Sequence, residues 1–162
     1  MQNYSSKNTS LNQISAILKL LEKRLEWKAG QTNFDNGGGK YDKGTEYLKG
    51  LGVINLIYDP ENRTPEHNSS ILSQLEDRKA DTSTIANVLN VIDDAEARLN
   101  VLRLSKKYAK KTFISVYDGD KSGIGKVTTK GYQLNKKLQE YIPEIKKVFD
   151  NVEKKSGYII AW

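Results

Sequence analysis

Apolar residues recur at helical spacing through the first two-thirds of the chain and crowd into β-type runs in the last third. Leu11, Ile14, Leu18, Leu21 and Leu25 alternate steps of three and four, with Ile17 widening the stripe. This spacing predicts an amphipathic helix from Leu11 to about Ala29. Ser10 followed by Gln13 is a capping box, and Gly30 is the stop. Residues 31–44 read as a loop centred on Gly37, Gly38 and Gly39. A helix over Thr45 to Lys49 follows, then a short strand or irregular buried segment before the turn Asp59-Pro60-Glu61-Asn62. Thr64-Pro65 opens a helix to about Lys79 that buries Ile71, Leu72 and Leu75. The stripe Ile85, Val88, Ile92, Ala95, Leu99, Leu102 predicts the longest helix, Thr84 to about Lys111.

Beyond it, Thr112 to Tyr117 is a strand, with Ile124 to Thr129 as its return strand in a long-tipped hairpin. Helices are expected at 130–141 and 143–155, divided by Pro143. Tyr158 to Trp162 forms a last strand able to pair with the hairpin. The sum is an α+β fold, mainly α, in which amphipathic helices pack with a small antiparallel sheet from the C-terminal third. Residues 1–9 are polar and are expected to be a disordered tail ahead of one globular domain over 10–162. The helical stripes also suit a homo-oligomer.

Composition removes whole classes of chemistry. The 162 residues include no cysteine and one histidine, His67. That excludes disulfides, thiolate metal sites, cysteine nucleophiles and multi-histidine metal centres, so no metal site and no cofactor are expected. No apolar run is long enough to span a bilayer and the N-terminus is polar, so the expected setting is cytoplasmic, with no membrane partner.

The net charge of +6 is local. Ten basic residues stand against two acidic ones from Arg103 to Lys137, which leaves the rest of the chain slightly negative. Arg103, Lys106, Lys107, Lys110, Lys111, Lys121, Lys126, Lys130, Lys136 and Lys137, interleaved with Tyr108 and Tyr132, are the expected binding residues. Cations for phosphates and rings for bases are what a nucleic acid requires. The favoured reading is a non-catalytic basic binding or assembly protein whose partner is nucleic acid or an acidic protein surface. A protein-binding module using the helical stripes, of viral or mobile-element origin, is the alternative.

Three other patterns carry candidate chemistry. The loop from Asp118 to Thr129 ends in Gly125-Lys126 like a phosphate-binding loop, but Val127 stands where a hydroxyl is needed. It also places Asp118, Asp120 and Ser122 at calcium-loop spacing, with Thr129 where a bidentate Glu belongs. A solvated hairpin tip is the simpler reading. Glu26 and Asp35 flank a helix end and a glycine-rich loop, a layout similar to lysozyme-type glycoside hydrolases. His67, third in its helix, has no triad partners in sequence and reads as a surface histidine.

Overall fold

A computed structural model describes residues 2–162. Its centre is a six-stranded sheet in the order β2–β1–β3–β4–β8–β7. Strands β1 (Thr32–Asn36), β2 (Ile54–Tyr58), β3 (Thr82–Ala86) and β4 (Thr112–Ser115) run parallel. Strand β8 (Tyr158–Ala161) lies antiparallel to both β4 and β7 (Val152–Lys155). A separate ribbon pairs β5 (Gly125–Thr128) with β6 (Gly131–Leu134). Parallel neighbours need crossover connections. Helices α2 (Lys43–Gly50), α3 (Pro65–Asp77) and α4 (Ala95–Tyr108) supply them, while α1 (Ala16–Lys23) precedes β1 and α5 (Ile142–Lys146) precedes β7.

The strand period of two divides the core into layers. Phe113 of β4 with Tyr158 and Ile160 of β8 packs against Ile17, Leu18, Leu21 and Leu48 of α1 and α2. Their neighbours Ile114, Ile159 and Ala161 pack against Leu99, Leu102 and Ile145 of α4 and α5 on the opposite face. Phe34 of β1 meets Ile71 and Leu75 of α3 and Tyr108 of α4. The same alternation sends Asn33 and Asp35 to one face, and Asn36 to the other, where its amide donates to Val101 O and Ser105 Oγ.

The expected mainly helical fold with a small antiparallel sheet is thereby corrected to a three-layered α/β fold around a mixed sheet. The physical reason lies in two segments. Strand β1 reads Thr-Asn-Phe-Asp-Asn, and its last four residues are buried, so a central strand carries one apolar side chain and no hydrophobic period marks it. The stripe from Ile85 to Leu102 spans β3, a 3-10 turn at Leu89–Val91 and α4, which bury their apolar side chains in one core. Its helical spacing comes from three elements, not one.

Other boundaries shift for local reasons. Helix α1 starts at Ala16, and Ser10 Oγ instead accepts a hydrogen bond from Lys40 N at 3.1 Å. Helix α3 begins as predicted, with Thr64 Oγ1 accepting from His67 N. The expected return strand pairs with β6, so β4 takes β8 as its antiparallel neighbour. The two helices expected over 130–155 are replaced by β6, a 3-10 turn (Leu138–Tyr141), α5 and β7. Pro143 lies in the first turn of α5. Strand β7, Val-Glu-Lys-Lys, is a charged edge of the kind that resists pairing with other chains. Among the described residues no helix is long and apolar enough to cross a membrane.

Candidate functional site

Chain order along the sheet reverses between β1 and β3. From β1 the chain crosses to β2 on one side, and from β3 to β4 on the other. In an open α/β sheet the loops leaving the carboxyl ends of the strands diverge at such a point and leave a ligand crevice. A cleft of about 890 Å³ occupies this position. It is bounded by the glycine loop 37–39 after β1, by Asp59 and Asn62 after β2, by Asn87 after β3 and by Tyr117 after β4.

The glycine loop lies flat against the strand ends. Gly37 and Gly39 have φ of +85° and +81°, left-handed backbone that glycine adopts without steric cost. A Cβ on Gly38 would stand 2.7 Å from the Asp35 carboxylate, and one on Gly37 would stand 2.6 Å from a Val88 methyl. Gly37 N donates to Tyr58 O at 2.7 Å, and Gly39 N to Asp59 Oδ2 at 2.8 Å. Arg63 Nε donates to Gly39 O, and Arg63 Nη2 also pairs with Asp42, the N-cap residue of α2, at 2.9 Å.

Asp59 is the hub. It is buried and also accepts from the backbone N–H groups of Glu61 and Asn62 and from Asn62 Nδ2. Asp35 lies beneath the loop and accepts from Asn55 Nδ2 and Thr84 Oγ1. Burial pushes its carboxyl above the ordinary value; the two hydrogen bonds oppose this, and the charge of Asp59 adds to it. Three buried polar atoms on cleft-lining residues have no partner: Ser15 Oγ, Asn62 Oδ1 and Asn90 Oδ1. Each such atom carries a desolvation penalty that a ligand hydrogen bond removes.

Residues 2–13 run over this edge of the sheet. Asn3 donates from N and Nδ2 to the Asp93 carboxylate, Ser5 Oγ donates to Glu61 Oε2, and Tyr4 stacks on Tyr132 with centroids 5.8 Å apart. Gln2, Ser6, Thr9 and Leu11 line the cleft.

The residues singled out by charge are dispersed. Arg103, Lys106 and Lys107 share a shallow depression on α4 with Lys79 and Lys147. Within it Arg103 pairs with Glu96 at 2.6 Å and Lys106 Nζ donates to Val148 O. Tyr108 is buried and donates to Glu76, which also lies 3.7 Å from Lys107. Lys110 faces Asp81 at 3.5 Å, and Lys111 and Lys136 lie over the rings of Phe113 and Tyr141. Lys121 sits in the 118–125 loop with φ of +63°, and Lys137 caps the turn that follows β6. Lys130 and Tyr132 alone of this set line the cleft.

The other candidates resolve individually. Lys126 pairs with Asp120 at 2.7 Å, so a cation already neutralises the supposed calcium loop. No group of three metal-ligating side chains occurs among the described residues. Asp35 lines the cleft whereas Glu26 does not. His67 Nε2 bonds Ile57 O at 2.7 Å, a structural contact. The residues that charge and motif reasoning missed, Asp59, Asn62, Asn87 and Asn90, are polar side chains at strand ends. The spacing from Gly39 to Asp59 would have revealed the first of them. An acid about twenty residues past a glycine loop is a nucleoside-binding pattern when strands flank it.

No family model and no curated protein matches the sequence. Among solved structures the chain is similar to the 1,6-didemethyltoxoflavin-N1-methyltransferase of Burkholderia thailandensis, which was crystallised with 1,6-didemethyltoxoflavin and S-adenosylhomocysteine. The TM-score is 0.61 at 14% identity, covering 89% of this chain and 74% of the other. This likeness shows the fold. It overturns the expectation of a non-catalytic basic assembly protein, along with its helical-module and lysozyme-like alternatives. What the chain builds is an α/β fold shared with that enzyme, with a cleft at its topological switch point.

Proposed function

We propose that the protein binds S-adenosylmethionine in this cleft and transfers its methyl group to an acceptor. The observation that carries the reading is the glycine loop pinned to Asp59 at the switch point, with buried, unpartnered acceptor atoms on the residues that line the cleft. The residues fit the group. Gly37 to Gly39 leave room for close approach to the backbone, and Asn62 Oδ1 and Ser15 Oγ are placed to accept from hydroxyl or amino donors of a nucleoside. Asp59 and Glu61 give this half of the cleft a negative potential that suits a sulfonium and an ammonium group.

The same charges disfavour a dinucleotide. In dinucleotide folds the pyrophosphate sits at the N-terminus of the helix after the glycine loop. Here the N-cap residue of that helix is Asp42, whose carboxylate pairs with Arg63 and stands at the helix end where a phosphate would sit. Bound in the cleft, the sulfonium group supplies an electrophilic methyl. The chain holds the nucleoside on the β1–β2 side and leaves the β3–β4 side open to the acceptor. The implied setting is the cytoplasm, where such a cofactor is available.

Calorimetry tests this reading. S-adenosylhomocysteine should bind with a Kd in the micromolar range, about −8 kcal/mol, and NAD should not bind. Gly38→Ala should weaken the first at least about tenfold, because its Cβ cannot fit between loop and Asp35. Absence of S-adenosylhomocysteine binding by the native chain would reject the proposal.

A further inference from the structure

The two halves of the cleft differ in chemistry, and the difference points to the acceptor. Every carboxylate lining the cleft, Asp35, Asp59 and Glu61, comes from β1 or from the loop after β2. The β3–β4 half presents Asn87, Asn90, Tyr117, Tyr132 and Gln133. With Lys130 at the turn of the ribbon, these are amides, phenols and one ammonium, with no carboxylate and no imidazole. Asn87 holds left-handed backbone (φ +56°) at the tip of β3, local strain of the sort that persists where a side chain must be aimed. Asn90 is 2% exposed. Its Nδ2 donates to Gln133 Oε1 at 3.1 Å, and Gln133 Nε2 donates to Tyr117 O and Leu134 O. This chain of bonds fixes the amide and leaves Asn90 Oδ1 without a donor.

Resting on the methyltransferase reading, we infer that the acceptor is a small, uncharged, planar nitrogen compound, recognised by an N–H donated to Asn90 Oδ1 and methylated at a nitrogen lone pair. Three observations converge. The unpartnered acceptor atom asks for a donor. The half-site holds no carboxylate and no imidazole to take a proton, and phenols, amides and an ammonium are poor bases near neutral pH. The nucleophile therefore has to be reactive without first losing a proton, as a ring nitrogen with a lone pair is and a neutral hydroxyl is not. Finally, residues 2–13, tethered through Asp93, Glu61 and Lys40, cover the rim and favour a small molecule over a macromolecule. In the transfer the nitrogen lone pair forms the new C–N bond as the C–S bond breaks. The electron pair passes to sulfur and the positive charge to the methylated nitrogen, and any proton on that nitrogen is lost to water.

The test uses the full chain saturated with S-adenosylhomocysteine and titrated calorimetrically with 9-methyladenine, nicotinamide, their N6,N6-dimethyl and N,N-dimethyl counterparts, and catechol. At least one of 9-methyladenine and nicotinamide should bind. Its dimethylated counterpart, which keeps the ring lone pairs but lacks the N–H, should bind about tenfold more weakly, the cost of one hydrogen bond to a buried acceptor. Asn90→Ser should produce a similar loss while S-adenosylhomocysteine affinity stays within about twofold. In parallel, tritiated methyl transfer from S-adenosylmethionine is measured to these probes, to total tRNA and to casein. The inference is overturned if neither nitrogen probe binds, if the dimethylated forms bind equally well, or if label appears on tRNA, casein or catechol in preference. It is also overturned if Asn90→Ser weakens S-adenosylhomocysteine as much as the probe, which would put Asn90 in the cofactor half. Failure of S-adenosylhomocysteine itself to bind is a distinct result: it removes the methyltransferase reading, and this inference with it.

Discussion

Strands β1 and β8 are both buried inside one sheet, yet opposite kinds of interaction hold them. β8 places Tyr158, Ile159, Ile160 and Ala161 against apolar neighbours on both faces. β1 places Asn33, Asp35 and Asn36 in the interior and satisfies them with a polar network. Asn33 Nδ2 donates to Asn55 Oδ1 at 2.8 Å and to Thr84 Oγ1 at 2.9 Å, and Asn33 Oδ1 accepts from Thr82 Oγ1 at 2.8 Å. Apolar packing is non-directional and tolerates small shifts, whereas hydrogen bonds fix register and orientation. The strand that carries the glycine loop is therefore held by the directional interaction, and the strand that completes the sheet by the non-directional one.

The sharpest way to break this comparison is to remove apolar volume on the β8 side. Phe113→Ala, in the layer shared with Tyr158 and Ile160, should cost about 3–5 kcal/mol of stability. Chemical denaturation measures it, and the S-adenosylhomocysteine affinity of the still-folded fraction should be unchanged. Asn33→Ala should cost less, about 2–3 kcal/mol, by leaving buried partners unsatisfied. Unlike Phe113→Ala it should also weaken ligand affinity, because β1 loses its lateral ties beneath the loop. Equal effects of the two variants on affinity would erase the distinction.

Asp35→Asn probes the network through pH. Burial raises the folded-state pKa of Asp35, so its protonated form is favoured by folding. The stabilisation is present below the unfolded value of about 4 and is lost as pH rises through the folded value. The native protein should thus lose stability relative to Asp35→Asn as pH climbs above about 4, seen as a widening gap between denaturation midpoints. A constant gap would mean that Asp35 has the same affinity for its proton folded and unfolded. The smallest effect belongs to Ser10→Ala, which deletes one exposed tether to Lys40 N. Stability should change by about 0.5 kcal/mol or less, while amide exchange at Lys40 should quicken.

The same contrast explains what could be read from the chain. The run Thr112 to Tyr117 and the last apolar segment announced β4 and β8 because their side chains are apolar and β-branched or aromatic. Thr64-Pro65 announced α3 because a hydroxyl and a fixed φ are what a helix start needs. β1 stayed hidden because Asn33 and Asn36 look like loop residues until Thr82, Thr84, Asn55 and Ser105 arrive from distant segments to bond them. Asp35 was singled out, but paired with Glu26, since only the crossover through α2 brings β2 and Asp59 beside it. The lysines of the Arg103–Lys137 stretch stand out in sequence and scatter in space, because α4, β4 and the ribbon point them in different directions.

The placement of β8 between β4 and β7 also orders the assembly of the molecule. β4 has β3 on one side as soon as α4 has formed, but its other edge stays open until the ribbon, α5 and β7 have all been made. Pairings this distant in sequence form late and slow folding. During that interval Thr112 to Ser115 present an unpaired edge with Phe113 and Ile114 beside it, a template for self-association. Chains interrupted before Tyr158 should therefore collect as aggregates instead of as soluble fragments, and a synthetic Tyr158–Trp162 peptide supplied in trans should return part of them to solution.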